Sequence, residues 1–172
     1  PWRPQPAAPA RGWPGGGRAA RGVEAKLVSS VVGRHFGCIK LGPGHHRASL
    51  PRDVRQIAIV LERELGFPVC APDLSKAGYR LHSADSCGVD GMLGGHVVYE
   101  RIADGQMLSI FSVHRIEALA SSGAHDPGDP RCMVCNGKAP ATVVGWHDAR
   151  STYLLCAKLP SAELIALAKG IN

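Results

Sequence analysis

The fold of this 172-residue chain is decided by residues 96–114, HVVYERIADGQMLSIFSVH. Two runs rich in β-branched and aromatic residues, His96–Ile102 and Met107–His114, are separated by a short polar segment. The Asp104-Gly105 pair in that segment is typical of a hairpin turn, because glycine readily adopts the positive φ that such turns require. These residues therefore predict an antiparallel hairpin near the centre of the domain.

Shorter β-rich runs and three amphipathic segments lie on either side of this hairpin. The other predicted strands are Tyr79–Ser83, Thr142–His147 and Thr152–Ala157. The predicted helices run from Val23 to about Phe36, from the Ser49/Pro51 region to Gly66, and from Pro160 to Gly170. We expect an α+β domain in which an antiparallel meander of about five strands carries two N-terminal helices and one C-terminal helix packed on one face.

The first 22 residues differ in composition from the rest of the chain. They contain five prolines and five glycines, and such a segment cannot bury enough apolar surface to fold alone. We therefore predict a disordered or partner-wrapped basic leader over residues 1–22, followed by a single α+β domain over residues 23–172.

The net charge of +6 is concentrated in and just after the leader. Residues 1–26 hold five basic residues against one acidic residue, a net +4, so the rest of the chain carries only +2 with both signs mixed. A nucleic-acid-binding domain usually has a basic face on its folded body. We therefore expect no nucleic-acid partner, and a basic tail that contacts a protein or lies near a membrane.

The sequence contains none of the short motifs that usually mark catalysis. There is no G-x-S-x-G elbow, no phosphate-binding glycine loop before a helix, and no H-E-x-x-H zinc motif. The pairs His114-Arg115 and His147-Asp148 fall at predicted strand ends, where polar residues usually meet solvent. We predict that the protein is not an enzyme.

Two short pairs of metal or redox ligands carry most of the functional information in the sequence. His35-x-x-Cys38 follows the first apolar segment, and Cys132-x-x-Cys135 falls in a Pro/Gly-rich stretch near residue 130. Three thiolates and one imidazole from these pairs would make a closed Cys3His zinc site. The same thiols would instead form disulfides in an oxidising compartment.

The Cys132-x-x-Cys135 pair leaves two interpretations open, a metal knuckle and a local disulfide. Covalent attachment of haem requires histidine directly after the second cysteine, and Asn136 stands there. A thioredoxin-like dithiol needs its first cysteine at a helix N-terminus, whereas the surrounding residues predict a loop. The two remaining cysteines, Cys70 and Cys156, lie beside or within apolar stretches and are interpreted as structural or as bonded to each other.

The order of motifs resembles the extracytoplasmic half of bacterial transmembrane anti-sigma factors over roughly residues 23–169. The matching stretches are the His-x-x-Cys at 35–38, ELGFPV at 64–69, APDLSKAGYRL at 71–81, GGHVVYER at 94–101, LSIFSV at 108–113, VVGWHD at 143–148, TYLL at 152–155 and LPSAEL at 159–164. The resemblance implies a non-enzymatic sensor or regulatory domain in the periplasm, tethered near a membrane through a missing or removed N-terminal segment. It also implies a protein partner, either a signalling protein or a membrane-bound complex.

The resemblance further implies that the helix carrying His35 and Cys38 faces the hairpin carrying Cys87 and His96. These four residues are then one candidate cluster, either a Cys2His2 pocket for a metal or haem, or a Cys38–Cys87 disulfide with two bystander histidines. Zinc is the expected metal, haem is the less favoured cofactor, and otherwise the chain holds disulfides only. An alternative function is a small accessory subunit of a larger exported or membrane-bound complex, in which the metal, haem or disulfides only maintain the shape.

Overall fold

A computed structural model of the chain describes residues 18–42, 47–120, 129–134 and 140–171. The helices are α1 (Arg18–Leu41), α2 (Val54–Leu65), α3 (Glu117–Ala120) and α4 (Ser161–Lys169), with a short 3-10 helix at Ser75–Ala77. The strands are β1 (Tyr79–Val89), β2 (Met92–Arg101), β3 (Met107–His114), β4 (Arg131–Val134), β5 (Thr142–His147) and β6 (Ser151–Ala157). Within these ranges, no helix combines the length and the apolar character needed to cross a bilayer.

The strands form one antiparallel sheet in the order β1-β2-β3-β6-β5-β4. It consists of two three-stranded meanders, β1–β3 and β4–β6, which join where β3 pairs with β6. The predicted Asp104-Gly105 turn and a second turn at Asp148 lie within the meanders. Gly105 has a φ of 71° between β2 and β3, and Asp148 accepts hydrogen bonds from the backbone N–H groups of Arg150 and Ser151 between β5 and β6.

The predicted fold class is confirmed: an α+β domain with two N-terminal helices, one C-terminal helix and a meander-like antiparallel sheet. The structure adds a sixth strand, β4, which pairs with β5. This strand lies within the stretch that the sequence predicts as a loop, so the loop prediction is wrong for Arg131–Val134. Residues 121–128 and 135–139 of that stretch lie outside the described residues.

The placement of the helices differs from the prediction that all three share one face of the sheet. Helices α2 and α4 pack on one face through Ile57, Leu61 and Leu164, whereas α1 packs on the opposite face through Leu27 and Val31. We call the side of the sheet covered by α1 the α1 face. All seven residues of β6 are buried, as expected of a strand covered on both sides, whose sequence is almost continuously apolar rather than alternating.

Helix α1 begins at Arg18, five residues inside the segment that the sequence predicts as a leader. Residues 1–17 lie outside the described residues. The buried stripe of the helix consists of Leu27, Val31, His35 and Cys38, a spacing that keeps all four side chains on one side. Two of the predicted ligands therefore occupy positions in the stripe that an apolar side chain would normally fill.

Helix α2 begins after Asp53 and ends before Gly66, the two residues that cap it. Asp53 accepts hydrogen bonds from the backbone N–H groups of Arg55 and Gln56, at 2.8 Å and 3.4 Å. Gly66 closes the helix in the left-handed conformation, with a φ of 80°. These two residues fix the length of α2 and hence the course of the segment that leads to β1.

Candidate functional site

The predicted residues His35, Cys38, Cys87 and His96 all lie between α1 and the α1 face of the sheet. His35 and Cys38 come from the buried stripe of the helix. Cys87 packs against the core beneath α1, and His96 stacks on Phe111, a member of that same core, with ring centroids 4.1 Å apart. The structure therefore brings the helix pair and the hairpin pair to the same interface.

A serine that the sequence analysis did not single out connects the two histidines. Ser109 on β3 places its hydroxyl 2.8 Å from Nδ1 of His35 and 3.0 Å from Nε2 of His96. All three side chains are at most 1 % exposed. Buried polar groups are retained where they are hydrogen-bonded, so this His35–Ser109–His96 chain joins α1 to both β2 and β3.

The single hydroxyl proton of Ser109 couples the two imidazole rings. Serine donates one hydrogen bond and its oxygen has two lone pairs, so at most one of the two ring nitrogens accepts the proton of Ser109 and at least one donates to its oxygen. If His35 accepts at Nδ1, then His96 donates at Nε2, and the reverse assignment requires both rings to change tautomer. The shared hydroxyl therefore limits the combinations of tautomers that the two rings can adopt together.

Burial keeps the ring of His35 neutral at physiological pH. Removal from water lowers the pKa of His35 to about 4, and the nearby positive charge of Lys158 contributes in the same direction. Desolvation disfavours the charged form of histidine because the interior does not replace the water lost from the imidazolium. The ring therefore acts as a neutral hydrogen-bonding group within the interface.

The thiols of Cys38 and Cys87 form a second pair at this interface. Burial raises the pKa of both thiols, that of Cys87 to about 12, and the neighbouring Cys38 also raises the pKa of Cys87. Asp85 raises both pKa values further, and Arg34 opposes this effect on both. The two thiols thus share one electrostatic environment, with one sulfur on α1 and the other on β1.

Two further thiols, Cys70 and Cys156, lie on opposite faces of the sheet. Cys156 on β6 lies directly opposite Ser109 in the sheet and is fully buried, which raises its pKa to about 12. Cys70 packs against the core on the other face of the sheet, where α2 and α4 lie. The interpretation that Cys70 and Cys156 are bonded to each other is therefore wrong, because the sheet separates them.

The second predicted pair falls at the limit of the described chain. The backbone of Cys132 belongs to β4 and pairs with Val144, and Cys135 lies outside the described residues. The proposed pairing of these two thiols therefore stays a prediction. Among the residues that the structure does describe, no three His, Cys, Asp or Glu side chains converge as a metal site.

A cavity beside His35 adds residues that the sequence analysis did not single out. Its volume is about 240 Å³, and it contains the ammonium-bearing side chain of Lys158, which follows β6. Ser109 and Lys158 give weak sequence signals, since a serine within a strand and a lysine after one are both ordinary. Only the docking of α1 on the sheet makes them neighbours of His35.

Comparison with known proteins finds no matching family model, no matching curated protein and no matching solved structure.

Proposed function

We propose that this chain is a non-enzymatic sensor or regulatory domain that works outside the cytoplasm, and that the Cys38/Cys87 thiol pair is its redox-responsive part. The observation that carries the proposal is the position of this pair, with one thiol on the N-terminal helix and one on the first strand. A covalent bond between them would fasten α1 to the sheet. The resemblance of the motif order to the extracytoplasmic half of anti-sigma factors supports the same class of function.

The electrostatics of the pair favour a slow, conformation-dependent response. A thiol reacts as its thiolate, and burial raises the pKa of both Cys38 and Cys87. At neutral pH the docked thiols are therefore almost entirely protonated. Any movement that lifts α1 from the sheet exposes them to water, lowers their pKa values and makes them reactive, so the state of the helix and the state of the thiols are coupled.

The proposed reaction is exchange with a disulfide donor such as glutathione disulfide. One thiolate of the pair attacks the donor, forms a mixed disulfide and releases one donor thiol. The second thiolate then attacks the bonded sulfur, forms the Cys38–Cys87 bond and releases the second donor thiol. The protein loses two protons and two electrons in total, and the donor disulfide is reduced to two thiols.

We favour thiol oxidation over metal binding as the response because of how the histidines are used. Nδ1 of His35 and Nε2 of His96 both contact the hydroxyl of Ser109. A zinc ion bound through these two nitrogens would have to break both hydrogen bonds. Oxidation of Cys38 and Cys87 leaves this His35–Ser109–His96 chain intact.

The test combines peptide mapping with amide hydrogen exchange on the full chain. After treatment with glutathione disulfide we expect a Cys38–Cys87 cross-linked peptide, and exchange in α1 about tenfold slower than in the reduced protein. The variants Cys38→Ser and Cys87→Ser should lose both effects. Cys70→Ala is the matched control, because Cys70 lies on the other face of the sheet, and it should retain them.

Two outcomes would contradict the proposal. One is the absence of the cross-link under conditions that oxidise free glutathione, and the other is a cross-link that leaves exchange in α1 unchanged. Native mass spectrometry of the reduced protein with added zinc distinguishes a response to metal binding from a response to thiol oxidation. Tight binding of one zinc ion that either cysteine variant abolishes would replace thiol oxidation with metal binding as the response.

A further inference from the structure

The cavity beside His35 has the features of a small ligand site, independent of the thiol pair. It lies between the C-terminal part of α1, the start of β3 and the residue that follows β6. Its volume of about 240 Å³ suits a ligand of roughly ten non-hydrogen atoms, below the range of drug-sized pockets. The lining residues are His35, Phe36, Ile39, Gln106, Met107 and Lys158.

Lys158 is the charged residue of this lining, and its ammonium group has room for an anionic partner. Nζ lies 5.3 Å from the ring centroid of Phe36, a cation–π contact, and the side chain is exposed. Within the described part of the chain, no carboxylate forms an ion pair with Lys158. A cation held over an aromatic ring at the mouth of an apolar cavity is a suitable anchor for one negative charge.

The other polar side chain from outside α1 is already committed to protein contacts. Nε2 of Gln106 donates to the backbone carbonyl of Lys158 at 2.6 Å, and Oε1 accepts from the guanidinium of Arg101. Gln106 therefore holds the backbone of Lys158 in place through one of the two N–H donors of its amide group. The position of the lysine is fixed, while its ammonium group can turn toward a ligand.

The remaining walls of the cavity are uncharged. Phe36, Ile39 and Met107 give it an apolar surface, and the ring of His35 is neutral and bonded through Nδ1 to Ser109. A ligand with two or more negative charges would meet a single cation and apolar walls, and would leave charge uncompensated. A ligand with one charge and an apolar body matches both parts of the lining.

We propose that this cavity binds a small organic monocarboxylate, with the carboxylate at Lys158 and the apolar body against Phe36, Ile39 and Met107. The site goes beyond the proposed redox function, because none of its lining residues is a cysteine. The ligand would contact α1, the start of β3 and the residue that follows β6, and would therefore stabilise the docked helix.

The probe for this site is benzoate, with benzamide as the uncharged molecule of the same shape. Titration of the full chain, followed by NMR shifts of the amides of Phe36, Ile39 and Met107, should give saturable benzoate binding with a Kd of about millimolar. The variant Lys158→Met should weaken benzoate by about tenfold and leave the weaker binding of benzamide unchanged. Lys158→Arg should retain benzoate binding.

The matched control is Lys169→Met, which removes the same charge from an exposed position at the end of α4. It should bind benzoate like the unmodified chain. A second variant, Ile39→Phe, fills the cavity from its apolar side and should weaken benzoate and benzamide alike. Lys169→Met controls for the loss of a surface charge. Ile39→Phe tests whether binding needs the open apolar side of the cavity.

Several results would overturn the proposal: no saturable shifts with benzoate, equal affinity in Lys158→Met, or inorganic phosphate binding in its place. The titration is done under reducing conditions and repeated in Cys38→Ser. Benzoate binding that persists in Cys38→Ser supports the ligand site. The loss of the redox response in that variant is judged separately, by the test of the thiol proposal. Loss of benzoate binding in Cys38→Ser would show that the cavity is not independent of the thiol pair, and would overturn that part of the proposal.

Discussion

The buried hydroxyl of Ser109 is the residue on which the interface between α1 and the sheet depends most. Replacing Ser109 with alanine leaves Nδ1 of His35 and Nε2 of His96 without the partner that they share. Unsatisfied buried polar atoms cost about 1–3 kcal/mol each. We expect Ser109→Ala to lower the free energy of unfolding by roughly 2–4 kcal/mol, measured by urea titration.

The control for this variant is Ser29→Ala, which changes an exposed serine of α1. It should alter the free energy of unfolding by no more than about 0.5 kcal/mol. A Ser109→Ala variant as stable as the unmodified chain would mean that water or a rotated side chain replaces the hydroxyl. That result would contradict the prediction that the His35–Ser109–His96 hydrogen bonds hold α1 on the sheet.

The depressed pKa of His35 predicts how stability changes with pH. In the folded chain the pKa of His35 is about 4, against 6.5 for a histidine that is exposed to water, so between these pH values the unfolded chain binds more protons. Stability therefore rises with pH across this window and levels off above it. From pH 7 to pH 4 we expect His35 to account for a loss on the order of 3 kcal/mol in the free energy of unfolding.

Urea titrations at several pH values test this prediction. In His35→Gln the loss between pH 7 and pH 4 should be smaller by about that amount, because glutamine does not titrate. His114→Gln is the comparison, since His114 is exposed at the end of β3, and it should follow the unmodified chain. Identical pH profiles for His35→Gln and the unmodified chain would contradict the burial of a neutral ring at this position.

At the scale of the elements, two glycines should respond to alanine with opposite signs. Gly33 lies within α1, where an added Cβ meets no atom within 4 Å, so Gly33→Ala should stabilise the helix by up to about 1 kcal/mol. Gly66 ends α2 with a φ of 80°, so Gly66→Ala should destabilise the chain by about 1 kcal/mol. Thermal melting of the two variants checks both signs, and shifts of the same sign would show that one of these backbone conformations is different.

The elements that the sequence predicts well are those bounded by turn residues. The bounds of β3 and β5 coincide with the predicted ones, because Gly105 precedes the first strand and Asp148 ends the second. Strand β1 is longer than predicted, since its second half, ADSCGV, is made mostly of small residues and carries little of the β-branched and aromatic pattern typical of strands. Strand β4 is missed because four residues among prolines and glycines carry almost no periodicity.

The candidate site was predictable only in part. His35 and Cys38 share a helical spacing that the sequence displays, and their approach to Cys87 and His96 came from the resemblance. Ser109 was not predictable, since only the pairing of β2 with β3 and the docking of α1 place its hydroxyl between two histidines. The position of α1 on the opposite face from α2 also depends on tertiary packing, which local periodicity does not encode.

At the scale of the whole molecule, the thiol pair joins two distant parts of the chain. A Cys38–Cys87 bond would close a loop of about fifty residues that includes all of α2. Loop-closure entropy then stabilises the oxidised protein by up to roughly 4 kcal/mol relative to the reduced one. We expect a corresponding rise in the melting temperature after oxidation, and none in Cys87→Ser. A lower melting temperature for the oxidised protein would indicate that the bond distorts the docked helix.

The pairing of β3 with β6, which joins the two meanders, affects how the chain folds. Neighbouring strands within each meander are mostly close in sequence, whereas the partners across β3 and β6 are separated by about forty to fifty residues. Closing that long connection costs more conformational entropy than closing a hairpin, so we expect β3 and β6 to pair later than the strands of the local hairpins. Until β3 pairs with β6, these two largely buried strands present open edges, so refolding of this protein competes with aggregation and its yield falls as its concentration rises.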